Sequence, residues 1–292
     1  MEHLGRILQI KKNKNMKIYI FGSTGMLGRY VSTYLSQKFE VINISRKDID
    51  VSKTNYKDLR SALISLNVNE NDIIINCAGT IKPRVDELGD LNAILVNSVF
   101  PRILSDVCED LKIRLIHPTT DCVYSGKKGK YSEDDVYDVY DVYGMSKALG
   151  EPKNCMVIRT SIIGEEVNQG RSLVEWVKSQ KNGQAFGFTN HFWNGVTCLQ
   201  FAKIVEKIIN VNMFWIGVRH VHSDTLNKLE LVSIINDVYD LKINVISKET
   251  PLSCDRSLSS KFNNTVKLEI PTLKTQIEDM KEFSLTLYEK NN

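Results

Sequence analysis

The chain has 292 residues, 42% of them hydrophobic and 25% charged, which is enough to bury a large core in one domain or in a domain with a smaller cap. Its formal net charge of +3 is too small to indicate a nucleic-acid partner. No apolar run approaches the roughly 20 residues of a membrane span, and residues 1–15 lack the apolar segment of a signal peptide. We therefore predict a cytoplasmic protein with reduced cysteines and no membrane partner.

Short apolar strands alternate with amphipathic helices along the chain, a pattern typical of a parallel sheet covered on both faces. Strands are predicted at 17–21, 40–44, 72–76, 113–117, 155–159 and 218–221, and helices at 172–181, 199–209 and 226–239. We therefore predict an α/β fold with a doubly wound parallel sheet. Ligands of such sheets bind beyond the carboxyl ends of the strands.

The pattern loosens after Gly164, which indicates a second, smaller unit. We expect residues 1–15 to be a flexible arm, and 16–164 with 197–222 to form a dinucleotide-binding domain. Residues 165–196 with 223–292 are expected to form a substrate-binding cap. This cap would contain an aromatic-rich loop at 186–195 and irregular C-terminal elements.

A glycine turn, Gly22-Ser-Thr-Gly25-Met-Leu-Gly28, lies between the first strand and the first helix. Gly22 permits the tight turn, Gly25 lets the backbone approach a pyrophosphate, and Gly28 lets the helix pack closely on the strand. The helix N-terminus would then face the anion. The turn predicts a nicotinamide dinucleotide, with Thr24, Met26 and Leu27 also in contact with it.

The residue at the end of the second strand decides which dinucleotide fits. Arg46 stands there, and a basic residue suits the 2′-phosphate of NADP(H), so NADP is favoured. Asp48 and Asp50 lie just beyond and keep NAD as an alternative, and a surface arginine is the other interpretation of Arg46. Further candidate contacts to the cofactor are Asp50, Val51, Cys77, Ala78 and Gly79.

Tyr143 and Lys147 are four residues apart, so they share one face of a helix. A phenol has a pKa near 10, and we expect the nearby ammonium to lower it and to hold ribose hydroxyls. Three tyrosines occur in Asp-Val-Tyr repeats, and only Tyr143 has a lysine four residues on. The pair is therefore the candidate acid–base catalyst.

From its first strand through most of its length, the chain resembles the extended short-chain dehydrogenase/reductases, and within them the dTDP-4-dehydrorhamnose reductases. The resemblance rests on the glycine turn, Ile75–Gly79, Val96-Asn97, Thr119–Gly126, Tyr143–Lys147 and Arg159–Ser161. It implies reduction of a 4-keto-6-deoxyhexose carried on a nucleoside diphosphate. It also places Thr120 and Asp121 beside the substrate carbonyl, and Asn97 among the cofactor contacts. Related proteins often dimerise through two sheet-flanking helices, so a homodimer is expected.

Cys122 departs from the plain reductases, which carry tyrosine at this position. A cysteine there is similar to GDP-fucose synthases and to bifunctional 3,5-epimerase/4-reductases that make UDP-rhamnose. Because the C4 ketone acidifies the protons on C3 and C5, a Cys122 thiolate would serve as their base. The alternative is a small cysteine that fills a gap in the core. We expect coupled epimerisation and reduction, giving UDP-L-rhamnose.

Epimerisation also requires an acid on the opposite face of the sugar. The resemblance places this acid on the helix at 172–181, where Lys178 is the candidate and Glu175 and His191 compete; an exposed lysine on a solvated helix face is the alternative. By the same resemblance Trp193 and Asn194 close the pocket. Arg256 either pairs with the diphosphate or is a surface residue.

Two other functions stay open at this point. One is a reductase that works with a separate epimerase. The other is a non-catalytic partner, since the regulatory subunit of methionine adenosyltransferase resembles the same reductases. We expect no metal site, because His220 and His222 have no third ligand nearby in sequence.

Overall fold

The structure, a computed structural model, describes residues 16–166, 170 and 172–289, so the predicted arm at 1–15 lies outside the described residues. In chain order its helices and strands are β1 (Lys17–Phe21), α1 (Met26–Leu35), β2 (Glu40–Ile44), α2 (Tyr56–Ser65), β3 (Ile73–Asn76), α3 (Lys82–Leu88), α4 (Asp90–Ile94), α5 (Phe100–Asp110), β4 (Arg114–Thr119), α6 (Val142–Leu149), β5 (Met156–Arg159), β6 (Ile162–Ile163), α7 (Leu173–Ser179), β7 (Gln184–Phe188), β8 (His191–Trp193), β9 (Val196–Thr197), α8 (Cys198–Asn210), β10 (Gly217–His220), β11 (Leu226–Asn227), α9 (Lys228–Tyr239), β12 (Asn244–Lys248), β13 (Cys254–Asp255), α10 (Asn264–Lys267) and α11 (Leu273–Glu289). A π-helical segment, Leu95–Val99, joins α4 to α5, and a 3₁₀ turn, Asp121–Val123, follows β4.

The predicted doubly wound parallel sheet is confirmed. Six strands lie in the order β10-β5-β4-β3-β1-β2, and every neighbouring pair is parallel. All six predicted strands belong to it, with ends shifted by one or two residues. The chain turns from β1 to β2 on one side and returns to β3 on the other. Ligands of such sheets bind at this switch point between β1 and β3.

Helices cover both faces of the sheet. On one face α1 and α8 bury Val31, Leu35, Phe201 and Val205 against the strands. On the other face α2 and α5 bury a second set of side chains, among them Leu59, Leu63, Leu104 and Val107. Because each face removes a continuous apolar surface from water, most residues of the central strands are buried.

The expectation about membrane spans needs one correction. The helical stretch Asp90–Asp110 is long and apolar enough to cross a membrane by length and composition, with a mean hydropathy of 1.2. Just over half of it, 56%, is buried inside the protein, and its Phe100 and Leu104 pack in the second core. In this fold the stretch therefore serves as a core element.

The predicted aromatic loop is wrong, because residues 184–193 form two strands. β7 pairs with β12, and β8 lies between β11 and β13 in a three-stranded sheet. Along β7 the inward positions are the small Ala185 and Gly187, while Phe186 points outward. The buried positions of β7 therefore carry small residues and an exposed position carries an aromatic one. The alternation of apolar and polar residues that predicts a strand is absent from this sequence.

The expectation of irregular C-terminal elements is also wrong. Helix α11 runs over Leu273–Glu289, and it buries Leu273, Ile277, Met280 and Leu287 at helical spacing. It packs on α1 and α8 of the sheet domain as well as on α9. The division at 222/223 into two parts therefore stays a proposal, since α11 contacts elements from both.

A buried ion pair fixes the end of β5. Arg159, which is 1% exposed, donates from Nε and Nη2 to Glu151 at 2.9 and 2.5 Å, and from Nη1 to the Tyr124 hydroxyl at 2.6 Å. Glu151 lies just beyond Gly150, the C-cap of α6. The pair therefore holds the end of α6 against the end of β5.

We predict that Arg159→Met lowers the free energy of unfolding by about 3–5 kcal/mol, because the Glu151 carboxylate loses its buried partner. The matched control is Lys17→Met, which breaks the exposed pair with Glu40 at 3.6 Å and should cost at most ~1 kcal/mol. Urea unfolding of both variants measures the difference. Equal losses in the two variants would contradict the structural role of Arg159.

Candidate active site

A cleft of about 770 Å³ lies at the carboxyl ends of the central strands. The glycine turn, the ends of β3 and β4, the loop after β5 and one face of α6 line it. Its size is that of a small-molecule site. The position is the one that the switch point between β1 and β3 predicts.

The three glycines of the turn have distinct geometries. Gly22 has φ +72°, and a Cβ there would lie 2.6 Å from the backbone nitrogen of Ala78. A Cβ on Gly28 would lie 2.1 Å from the carbonyl oxygen of Gly22. Gly25, the N-cap of α1, lines the cleft and would bring its Cβ no closer than 3.4 Å to other protein atoms. Gly22 and Gly28 thus serve packing, and Gly25 leaves room for a ligand.

The N-terminus of α1 suits an anion. No side chain caps it at Gly25, so the first backbone N–H groups of the helix are left for a ligand. Arg29, in the next turn, also lines the cleft, and its buried Nη1 atom has no hydrogen-bond partner among the residues that the structure describes. Sequence reasoning missed Arg29, although it directly follows the last glycine. A guanidinium nitrogen that can still donate, beside an uncapped helix N-terminus, fits a pyrophosphate.

The remaining predicted cofactor residues divide into two groups. Six of them line the cleft: Thr24, Met26, Leu27, Cys77, Ala78 and Gly79. Arg46, Asp50 and Val51 lie beyond β2 and do not line it. The Arg46 side chain is exposed. Its role at a 2′-phosphate therefore stays a prediction.

Asn97 does not line the cleft, and its side chain is fully engaged by the protein. Its amide nitrogen donates to the Thr80 carbonyl at 2.9 Å and to the Ser146 hydroxyl at 3.1 Å, while its Oδ1 accepts from the Thr80 backbone at 2.8 Å. Asn97 sits in the π-helical segment, which faces α6. It therefore ties α6 to the loop after β3.

Tyr143 and Lys147 both line the cleft, as the shared helix face predicts. Lys147 Nζ lies against the loop after β3, where a Cβ on Gly79 would come within 2.8 Å of it. Burial lowers the pKa of the Lys147 ammonium to about 8, and Glu151 opposes this shift. The lysine is therefore still mostly charged at neutral pH.

The pKa of Tyr143 differs from the expectation. Burial raises the pKa of the phenol above its ordinary value, and Cys122 raises it further, while a hydrogen bond to Thr120 lowers it. Desolvation is the largest of these effects, so the pKa rises where we expected Lys147 to lower it. Tyr143 is a protonated phenol at neutral pH, which makes it a proton donor.

Thr120 and Cys122 line the cleft beside Tyr143. The Thr120 hydroxyl caps the 3₁₀ turn by accepting from the Cys122 backbone at 3.1 Å, so both residues are held at the end of β4. Burial raises the pKa of the Cys122 thiol to about 12, and Asp121 adds to the effect. The expected thiolate is therefore not the resting form, and Cys122 is a protonated thiol at neutral pH.

The candidates for the second epimerase acid all lie away from the cleft surface. The Lys178 ammonium pairs with Glu165 at 2.5 Å and with Glu175 at 3.2 Å, and these carboxylates raise its pKa against the opposing effect of burial. His191 hydrogen-bonds Thr250 at 2.7 Å. Lys178 thus pairs with Glu165, which does line the cleft, and its role as the epimerase acid stays a prediction.

Of the predicted substrate residues, Thr120 and Cys122 line the cleft, whereas Asp121, Trp193, Asn194 and Arg256 do not. The Asn194 side chain donates to the Leu258 carbonyl and accepts from the Leu258 backbone N–H, both at 2.8 Å. Trp193 is buried in the apolar core of the cap. The Asp121 carboxylate accepts from Thr120 at 3.1 Å. Arg256 donates from Nε to the Tyr124 carbonyl at 2.9 Å. Asn194 therefore joins two cap segments, and its role in substrate binding stays a prediction.

Among residues 16–166, 170 and 172–289, no group of three or more His, Cys, Asp or Glu side chains could hold a metal ion. His220 is buried, with Nδ1 at 2.7 Å from the Ser259 carbonyl and Nε2 at 2.8 Å from Arg159 Nη1. His222 contacts the carbonyl of Ser223 at 3.0 Å. Both histidines thus have structural partners.

The sheet, the glycine turn and the Tyr143/Lys147 pair together define an extended short-chain dehydrogenase/reductase. Residues 16–269 match the family described as the RmlD substrate binding domain, and the chain belongs to this family. The predicted resemblance is therefore confirmed at the level of the family.

Two curated relatives show how far the sequence similarity extends. A dTDP-4-keto-6-deoxy-D-glucose reductase of Streptomyces niveus is 32% identical over 151 residues, covering 49% of this chain and 51% of that protein. A dTDP-4-dehydrorhamnose reductase of Streptomyces griseus is 28% identical over 151 residues, covering 49% and 48%. The chain thus spans about half the length of the curated relatives it matches.

Solved structures agree with the fold over nearly the whole chain. A dTDP-4-dehydrorhamnose reductase of Clostridium acetobutylicum superposes with a TM-score of 0.75 at 20% identity, covering 92% of this chain and 100% of that one. The enzyme of the same name from Bacillus anthracis, in complex with NADP, gives 0.73 at 18% identity, covering 90% and 98%. At these identities the likeness concerns the fold.

We predict opposite effects of alanine at two glycines of the turn. Gly28→Ala should lower the free energy of unfolding by about 1–3 kcal/mol or more, because the added Cβ would clash with the Gly22 carbonyl oxygen. Gly25→Ala should cost at most ~1 kcal/mol yet weaken NADPH binding, because its Cβ enters the cleft. Urea unfolding and a fluorescence titration with NADPH measure both. Unchanged NADPH affinity in Gly25→Ala would show that the anion binds elsewhere.

Proposed function

We propose that the protein is an NADPH-dependent reductase of the C4 ketone in a nucleotide-linked 4-keto-6-deoxyhexose. The observation that carries the proposal is the convergence of Thr120, Tyr143 and Lys147 on one cleft, opposite the open N-terminus of α1. Membership of the RmlD substrate binding domain family and the reductase names of the relatives support the substrate class.

The residues present fit the cofactor. Gly25, the uncapped N-terminus of α1 and the Nη1 atom of Arg29 would hold the pyrophosphate, while Lys147 would donate to ribose hydroxyls. NADPH, when bound, supplies the hydride. Arg46 at the end of β2 favours the 2′-phosphate of NADP, with NAD as the alternative because Asp50 follows. The NADP complex of the Bacillus anthracis reductase supports the same choice.

The side chains account for the proton that the reduction needs. Tyr143 is protonated at neutral pH, and it would donate its proton to the ketone oxygen as the alkoxide forms. The Thr120 hydroxyl, which hydrogen-bonds the phenol, would orient the same oxygen. The Lys147 ammonium then stabilises the phenolate that remains. A phenol that keeps its proton until the alkoxide forms is suited to be the acid of a ketone reduction.

The finer proposal is that the enzyme also epimerises C3 and C5 and so produces UDP-L-rhamnose. It rests on Cys122, which lines the cleft beside Thr120. A plain reductase that acts on dTDP-4-dehydrorhamnose is the second candidate. The raised pKa of Cys122 favours this candidate, because a protonated thiol is a poor base.

We also propose a homodimer. Among the described residues, Leu91 on α4 and Leu149 on α6 are 69% and 61% exposed. Ile94, three residues after Leu91 on α4, is exposed as well. Helices α4 and α6 contact each other, so these side chains belong to adjoining surfaces. Pairing of such apolar surfaces between two copies would remove them from water.

We predict that Tyr143→Phe and Lys147→Ala each lower NADPH oxidation in the presence of the 4-keto sugar nucleotide by roughly 10²- to 10⁴-fold. Each substitution removes a group that holds or donates the proton. Tyr140→Phe is the matched control, because Tyr140 comes from the same sequence repeat but is 78% exposed. Near-normal turnover in Tyr143→Phe would exclude the proposed chemistry.

Exchange with solvent separates the two finer functions. In deuterated water a wild-type epimerase should incorporate deuterium at C3 and C5, and Cys122→Ala should abolish it while still reducing a pre-epimerised sugar. NMR of the product measures both positions. Wild-type protein without exchange would leave the plain reductase, and unchanged exchange in Cys122→Ala would assign the base to another group.

A further inference from the structure

Glu165 is a buried carboxylate on the wall of the cleft. It lies just beyond β6, and its side chain is 3% exposed. The segment that carries it packs against the first turn of α1, because a Cβ on Gly164 would come 3.2 Å from Cγ of Met26. Met26 is the first residue of α1, and it lines the same cleft as Glu165. A negative charge on Glu165 therefore lies on the side of the cleft where the pyrophosphate would bind.

A carboxylate at this place opposes the binding of an anion. The uncapped N-terminus of α1 and Arg29 would attract the pyrophosphate, whereas an ionised Glu165 would repel it. Arg29 and Glu165 both line the cleft, so a carboxylate without another cation beside it would also compete for the guanidinium group. The cofactor site therefore requires that the charge of Glu165 be met from another side.

Two side chains from different helices meet this carboxylate. Tyr30 on α1 donates its hydroxyl to Glu165 Oε2 at 3.1 Å. Lys178 on α7 donates from Nζ to Oε1 at 2.5 Å. Each carboxylate oxygen thus has its own donor, and Lys178 brings the positive charge.

Further contacts hold the Lys178 ammonium in this position. Its Nζ lies 3.2 Å from Glu175 Oε1 and 4.6 Å from the centre of the Tyr239 ring on α9. Burial would lower the pKa of Lys178, but Glu165 and Glu175 outweigh this effect and raise it. The ammonium is therefore charged at neutral pH and is directed at the cleft wall.

We propose that Lys178 is a positioning residue for the cofactor: it neutralises Glu165 and holds it away from Arg29, so that NADPH binds at the N-terminus of α1. The inference rests on the proposed function and gives Lys178 a role other than that of an epimerase acid. An ammonium that two carboxylates stabilise is a weak proton donor, which agrees with this assignment.

A pair of substitutions separates the charge from the packing, with NADPH affinity measured by fluorescence titration. Lys178→Met should weaken NADPH binding roughly tenfold or more, because Glu165 then faces the pyrophosphate without its cation. Glu165→Gln should bind NADPH at least as tightly as wild type. The double variant Lys178→Met/Glu165→Gln should recover the wild-type affinity to within about twofold, since the opposing charge is gone. Lys178→Arg, which keeps the charge, should retain most of the affinity.

The matched control is Lys203→Met. Lys203 pairs with Asp279 at 2.5 Å but does not line the cleft, so its loss should leave NADPH affinity unchanged. Thermal midpoints, measured for every variant, establish that the titrated proteins are folded.

Three results would overturn the inference. They are unchanged NADPH affinity in Lys178→Met, a double variant that binds as weakly as Lys178→Met, and a comparable loss of affinity in Glu165→Gln. The last two would assign the effect to packing. Recovery of NADPH binding in the double variant of a protein whose wild type reduces no 4-keto sugar would refute the proposed reductase and leave this inference standing.

Discussion

The site depends on keeping the Lys147 ammonium partly out of water where α6 crosses the strand ends. Gly79 leaves the space for it, and Asn97 joins the loop after β3 to Ser146 of α6. A Cβ at Gly150 would lie 1.7 Å from the Asn97 carbonyl, so α6 also ends in close contact with the π-helical segment. Such segments often occur at functional sites. This packing fixes Lys147 and, one turn earlier, Tyr143.

Desolvation then determines the proton chemistry of the cleft. It lowers the pKa of Lys147 to about 8 and raises the pKa values of Tyr143 and Cys122. Each shift favours the less charged form, as burial requires. A protonated phenol beside a cation that can receive its negative charge is suited to protonating an alkoxide. The same environment disfavours a thiolate. The cleft therefore suits reduction, which uses a protonated phenol, better than epimerisation, which uses a thiolate base.

The sequence predicted the elements whose patterns arise locally. The strands of the sheet and the glycine turn follow from apolar runs and glycine spacing, and Tyr143 and Lys147 share a face because four residues make about one helical turn. The cap was predicted poorly, because Ala185 and Gly187 fill the inward positions of β7. Strand β7 is held by its pairing with β12, which comes much later in the chain. Tertiary pairing of this kind leaves no local pattern.

Transfer of a labelled hydride tests the central claim most directly. The protein would be incubated with a 4-keto-6-deoxyglucose linked to UDP or dTDP, and with NADPH deuterated at C4 of the nicotinamide. NMR would then locate the label in the sugar. The account predicts one deuterium at C4 of the product, in wild type and not in Tyr143→Phe. Oxidation of NADPH without deuterium at C4 of the sugar would contradict it.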